Sequence, residues 1–220
     1  MTVRCVQLNI ILNGKPDTCE ETSLSALAAA RGSGREITIV NGFATSDDLP
    51  LHEGDEIYFI PKDRLPPRDA LEAMMCSRHT PRVHHKVRAG HVAICGLGGL
   101  GSNAAIYLAR TGVGHLHLLD FDTVDASNLN RQSYMIRDLG AYKTDALARQ
   151  IRDINPFIDV RTDCVRLNEE NVPQLLKDDW IICEAFDNPD AKTMLVHTIL
   201  EQCPDKYIVS ASGMAGYGDS

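Results

Sequence analysis

Apolar and polar positions alternate along residues 3–12, VRCVQLNIIL, and the alternation stops at Asn13-Gly14. A period of two predicts a strand, and Asn-Gly suits the two positive-φ positions of a type I′ turn, so a first hairpin is expected. Glu20, Glu21 and Thr22 precede SLSALAAAR, a short alanine-rich helix whose leading acids and following Gly32 match dipole and C-cap preferences. Two β-rich runs come next, ITIVNG and EIYFIP, separated by the polar loop SDDLPLHEGD. Pro61, Pro66 and Pro67 then stiffen a polar connector, and Arg68 to Met75 has the composition of a helix that serves as a packing strut.

From His91 the pattern changes to that of an α/β doubly wound, Rossmann-like sheet. HVAIC is a short buried strand, Gly96-Leu97-Gly98-Gly99-Leu100-Gly101 is a G-x-G-x-x-G turn, SNAAIYLARTG is a helix ending at Gly112, and HLHLLDFD is a second strand. Glycines let the backbone approach a diphosphate, whose charge is favoured by the free N–H groups and dipole at a helix start. Asp120, at the end of the second strand, is placed to accept hydrogen bonds from ribose hydroxyls. A nicotinamide or flavin enzyme would fit the same residues, and a helix-packing role is the lesser alternative.

The next segment narrows the field. Asp120-Phe-Asp122 opens a polar, non-periodic run containing Ser127-Asn128-Leu129-Asn130-Arg131-Gln132, and Lys143 begins the helix KTDALARQIRDI. Two cations after the ribose-binding strand suit an enzyme that neutralises a triphosphate during attack at its α-phosphorus. WIICEAFDNPD reads as a strand ending in Asp187-Asn188, where Asp187 is either a Mg²⁺ ligand or a helix cap.

The first unit has the element order of a β-grasp domain and resembles the ThiS-type ubiquitin-like sulfur carriers, without their terminal Gly-Gly. The second, over residues 76–220, resembles the ThiF/MoeB/HesA branch of the ubiquitin-activating superfamily. That match rests on GLGGLGS, LLDFDTVDASNLNRQ, Lys143, Asp187-Asn188 and YIVSASGMAGYGD. The resemblance implies ATP on Gly96, Gly98, Gly99 and Gly101, ribose on Asp120 beside Asp122, phosphates on Asn128, Arg131 and Lys143, and Mg²⁺ on Asp187. It also implies that Arg78 reaches the triphosphate of a neighbouring subunit in a homodimer. The activity implied is adenylation of the C-terminal glycine of a sulfur carrier ending in Gly-Gly, in thiamine (thiazole) biosynthesis, with a sulfur donor downstream. The domain assignment is 1–62, a ThiS-like β-grasp unit; 63–75, linker and helix; and 76–220, an adenylation domain expected to be short at its C-terminus.

Charge and cysteines trim the alternatives. With 22 Lys+Arg against 30 Asp+Glu the net charge is −8, which argues against a nucleic-acid partner held by bulk charge. Nothing approaches the roughly 18 apolar residues of a membrane span, and Arg4, Gln7 and Asn9 interrupt the N-terminus, so neither signal peptide nor anchor is expected. The 7 cysteines form no C-x-x-C pair; this predicts a reducing, cytoplasmic setting, no structural zinc, and Cys95 and Cys183 as packing residues. His84-His85 are adjacent, and His115 and His117 alternate on a strand, so core or edge histidines are expected in place of ligands. Three further readings remain open: a nicotinamide oxidoreductase, a non-catalytic nucleotide-binding module, and a relative that adenylates a carboxyl group on a modified tRNA nucleoside.

Overall fold

Asn13 and Gly14 both adopt positive φ, 51° and 79°, and close the expected hairpin between β1 (Leu8–Leu12) and β2 (Lys15–Cys19). The structure, a computed structural model, describes residues 7–32, 36–62, 67–76 and 81–212, and divides into two compact units, Met1–His85 and Lys86–Ser220.

In the first unit α1 (Leu24–Arg31) starts where the Ser23 side chain accepts from Ala26 N–H. It ends at Gly32, whose φ of −86° makes no use of the left-handed freedom expected of a C-cap glycine. A second Asn-Gly pair, Asn41 and Gly42 at φ 51° and 82°, splits the run after β3 (Glu36–Val40) and returns the chain as β4 (Phe43–Thr45). With β5 (Glu56–Pro61) the strand order is β2-β1-β5-β3-β4, β1 and β5 running parallel in the centre, which is a β-grasp sheet. The two turn asparagines also serve the sheet: Asn13 Oδ1 accepts from Phe59 N–H and Asn41 Oδ1 from Glu56 N–H.

Leu24 and Leu27 of α1 pack with Ile10, Ile57 and Phe59 on one face of this sheet. Burying each such side chain contributes about 1.5–3 kcal/mol. On the other face α2 (Arg68–Cys76) sets Ala70 and Met74 against Ile39, Tyr58 and Ile60. The segment 63–75, read from sequence as linker and helix, thus supplies a covering helix to the first unit. An apolar stripe on α2 matches an apolar face that α1 leaves open.

The second unit is a five-stranded parallel sheet, order β10-β9-β6-β7-β8. Its strands are β6 (His91–Cys95), β7 (His115–Leu119), β8 (Asp159–Asp163), β9 (Ile181–Glu184) and β10 (Tyr207–Ser210). The helix α3 (Pro81–Arg88) precedes it. On one face α4 (Gly99–Thr111) and α5 (Lys143–Ile154) bury Ala105, Ala109, Leu147 and Ile151 against Val92, Ile94, Leu116 and Leu118. The opposite face carries α6 (Val172–Leu175) and α7 (Pro189–Gln202), with Val172, Leu195 and Ile199 against Ala93, Cys95 and Ile182. Gly112 ends α4 at φ 93°, the left-handed C-cap expected there. The strand expected through Asp122 stops at Leu119, and that expected through Asp187 stops at Glu184. No helix among the described residues is long and apolar enough to cross a membrane.

Candidate nucleotide site

The sheet order reverses beside β6, so the crevice of this open α/β sheet lies at the carboxyl ends of β6 and β9, where such sheets bind ligands. Two glycines make it possible for the chain to turn there. Gly96 has φ 93°, and a Cβ on it would meet Ala185 O at 2.9 Å. A Cβ on Gly101 would stand 1.8 Å from Gly96 O, so only glycine lets α4 start this close to the strand it follows. Leu97 and Gly98 carry the chain from β6 to the first turn of α4, whose free N–H groups face the crevice side of a helix dipole.

Asp120 follows β7 directly and braces this turn. Its Oδ2 accepts from Leu97 N–H at 2.7 Å and its Oδ1 from Asp122 N–H at 2.8 Å, leaving each oxygen a further lone pair. Tyr134 donates its hydroxyl to Leu97 O at 2.8 Å. Burial, with Asp120 next in effect, pushes the Tyr134 phenol well above its ordinary range, so it remains a donor.

The polar loop from Asp120 to Tyr142 is folded by its own side chains. Asp125 caps a short 3-10 turn by accepting from Ser127 N–H, and Asn128 Oδ1 accepts in return from Asp125 N–H. Hydrogen bonding from the Ser127 side chain, and then from its N–H, holds the Asp125 carboxyl below the usual range. Arg131 is exposed; its Nη1 contacts only Ser127 O at 3.2 Å and Asn130 Oδ1 at 3.0 Å, and its stem lies against Gly99. Ser102 and Asn103 in the first turn of α4 hold this loop in place. Asn103 Nδ2 donates to Gly99 O and Arg131 O, Ser133 Oγ donates to Asn103 Oδ1, and Ser133 N–H donates to Ser102 Oγ. Lys143 is 7% exposed at its side chain and pairs with Asp122 at 2.7 Å.

Across the crevice, Ala185 and Phe186 lead from β9 to Asp187, which is exposed and has no partner among the described residues. The cap of α7 is the neighbouring Asn188, whose Oδ1 accepts from Ala191 N–H at 2.9 Å. Beneath them Glu184, 2% exposed, accepts from Phe186 N–H at 2.7 Å and Ser210 Oγ at 2.6 Å and pairs with Lys192.

The structure therefore gathers Gly96, Gly98, Gly99, Gly101, Asp120, Asp122, Asn128, Arg131, Lys143 and Asp187 at one edge of one sheet. Arg78 lies outside the described residues. Ser102, Asn103, Ser133, Tyr134, Glu184 and Lys192 were not singled out from the sequence, although Ser-Asn directly after a glycine turn and a lone acid in WIICE were signals. Among the described residues no three His, Cys, Asp or Glu side chains come together as a metal site. A cation at Asp187 would have to share its oxygens with a bound phosphate and water, which suits Mg²⁺.

Comparison with known proteins finds matches to both units. The ThiF family model matches residues 72–220 and a ThiS-like ubiquitin model matches residues 8–63. An adenylyltransferase and sulfurtransferase uba4 of Emericella nidulans is 32% identical over 199 residues, covering 90% of this chain and 39% of the relative. A molybdopterin-synthase adenylyltransferase of Haemophilus influenzae is 37% identical over 131 residues, covering 59% of this chain and 52% of its own length. The chain thus spans about half or less of the curated relatives it matches. Among solved structures, E. coli tRNA N6-threonylcarbamoyladenosine dehydratase, TcdA, in complex with ATP superimposes with TM-score 0.63 at 27% identity, over 71% of this chain and 65% of that one.

Proposed function

Because the chain belongs to the ThiF family, we propose that its second unit is an ATP-dependent adenylyltransferase that activates the C-terminal glycine carboxylate of a ubiquitin-like sulfur carrier. The observation that carries this reading is the pairing in one chain of a ThiS-like match with a ThiF match. The adenylyltransferase names of the fungal and bacterial relatives support it.

In this reading the N–H groups at the start of α4 hold phosphate oxygens, and the remaining lone pairs of Asp120 take ribose hydroxyls. Arg131 exchanges two weak contacts to its own loop for the triphosphate, joined by Asn128 Nδ2. Lys143, held by Asp122 at the start of α5, is the second cation assigned to the phosphates. Asp187 would hold Mg²⁺, which when bound would supply charge neutralisation on the phosphates. The carrier carboxylate attacks the α-phosphorus; its oxygen forms the new P–O bond as the bond to the β-phosphate breaks and pyrophosphate leaves. Positioning and charge carry the step, and no protein nucleophile is needed.

Homodimerisation with Arg78 acting across subunits, a downstream sulfur donor and a cytoplasmic setting belong to the same proposal. The setting is in keeping with the free thiols of Cys19, Cys95, Cys164, Cys183 and Cys203. The ThiS-like first unit favours a thiazole-forming role. The similarity to TcdA favours, as a second reading, a carboxyl group on a modified tRNA nucleoside. Incubation with Mg-ATP and either a Gly-Gly carrier or a tRNA bearing such a group, followed by mass spectrometry, separates the two. Carrier-linked AMP is the expected product, and AMP linked only to the RNA would reject the carrier reading.

A further inference from the structure

Gln132 follows Arg131 in the polar loop, and the reaction outlined above gives it nothing to do. Its residue is 9% exposed, and its backbone N–H donates to Asn128 O at 2.9 Å. The residues on either side are tied to the first turn of α4, through Asn103 to Arg131 O and through Ser102 to Ser133 N–H. Its position is therefore fixed by its neighbours. The side-chain amide has no such anchor: Oε1 is buried with no hydrogen-bond partner, and Nε2 finds none among the described residues. Nε2 is the end that faces the glycine turn. It stands 4.0 Å from where a Cβ on Gly98, the N-cap of α4, would be.

A buried carbonyl with no partner is unusual, because it loses water and gains nothing in return; Nε2, by contrast, keeps access to solvent. Methionine or leucine would fill the same space without that loss. With its carbonyl turned inward the amide leaves its donor open at the glycine turn, and the N-cap of a 13-residue helix at the crevice of a parallel sheet favours an anionic acceptor there. Phosphate oxygens only accept hydrogen bonds, which matches an amide that turns its donor toward the turn and its carbonyl inward.

We propose that Gln132 is a phosphate-contacting residue, donating from Nε2 to an oxygen of the phosphate chain of a bound adenine nucleotide at the Gly98–Gly99 turn. It adds a neutral side-chain donor to the backbone N–H groups of α4 and sets selectivity for phosphorylated over bare adenosine. The inference rests on the nucleotide-binding reading above.

The test is equilibrium binding of ATP, AMP and adenosine to the full chain and to its Gln132→Met and Gln132→Glu variants. Gln132→Met keeps length and volume and removes the donor. Its affinity for ATP is expected to fall about tenfold or more, while that for adenosine changes by about twofold at most and the melting temperature holds. Gln132→Glu is expected to weaken ATP binding further where its carboxyl is ionised. It should recover as pH falls and the carboxyl becomes a donor again, a pH profile that a packing defect does not produce. Unchanged ATP affinity in Gln132→Met overturns the inference, as does equal weakening of ATP and adenosine. If Gln132→Met fails to fold, the Gln132→Glu profile decides, and the lack of any recovery at lower pH rejects the contact. A wild-type chain that binds no ATP rejects the nucleotide reading itself and the inference with it; wild-type binding with an indifferent Gln132→Met rejects the inference alone.

Discussion

In the first unit the polar side chains that shape the fold sit in turns: Asn13 and Asn41 answer strand N–H groups, and the Arg31–Asp17 pair stands 38% and 32% exposed at its side chains. In the second, ionic groups are carried inside. Asp138 is fully buried and accepts from Met135 N–H, Arg149 and Gln150. Glu184 is tied to Lys192, and His117, 3% exposed at its side chain, lies between Asp179 at 2.7 Å and Asp163 at 2.8 Å. The first unit covers both sheet faces with helices and needs only turn chemistry to fix its register. Asp138 and Glu184 in the second anchor irregular loops around a crevice, where apolar packing alone gives little directional control. Buried polar networks fix geometry at the cost of desolvation, and here they flank the sheet edge where the candidate site lies.

The strongest way to break this comparison is to remove a group assigned to the ligand alone. Asp187→Ala should lower carrier adenylation by about 10²–10³-fold with no loss in melting temperature, since the exposed carboxylate supports no described contact. Steady-state assays beside calorimetry would check both halves; retained activity would remove Asp187 from the site.

A smaller contrast concerns ion pairs. His117→Ala removes a hydrogen-bond partner from buried Asp179 and one of two partners from Asp163, which keeps Arg161, and should cost about 1–3 kcal/mol of second-unit stability. Arg31→Ala, at an exposed pair, should cost about 0–1 kcal/mol. Chemical denaturation followed by probes in each unit would read the two values, and equal costs would show that burial is not what separates the units.

Thiol reactivity sharpens the same point. Burial pushes the Cys95 thiol well above its ordinary value and raises that of Cys183, while Cys164 is exposed. At neutral pH a thiol reagent should label Cys164 ahead of the buried Cys95, which should react only on unfolding, as peptide mapping would show. Early labelling of Cys95 would mean that the glycine turn opens readily.

The smallest effect expected is one of pH. Burial, with the stacked His115 second, holds His91 below its ordinary value of 6.5. A base whose folded pKa is depressed stabilises above the unfolded value and loses that contribution as pH falls through the folded one. The second unit should therefore melt slightly lower at about pH 5 than at about pH 7, and His91→Phe should flatten that slope. An unchanged slope in the variant would assign it to other groups.

Local patterns were legible in the sequence. The glycine turn, the SNLNRQ block and the Asn13-Gly14 hairpin declare themselves over a few adjacent residues, and all lie where expected along the chain. Pairings between distant segments did not show: Lys143 with Asp122, Glu184 with Lys192 and Ser210, or α2 against Tyr58 and Ile60. Each depends on which faces the fold brings together. The strand β8, DVRTD, was hidden for a related reason, since an edge strand needs little apolar surface. Gln132 could be read as part of a motif, but its unpartnered buried carbonyl appears only once the surrounding atoms are placed.

The most direct test of the central claim is exchange of radiolabelled pyrophosphate into ATP by the purified chain with Mg²⁺ and a carrier ending in Gly-Gly, against the same carrier lacking those glycines. The account predicts exchange that depends on the glycines. Bound ATP with no exchange in either case would contradict it and leave the second unit as a nucleotide-binding module without this chemistry.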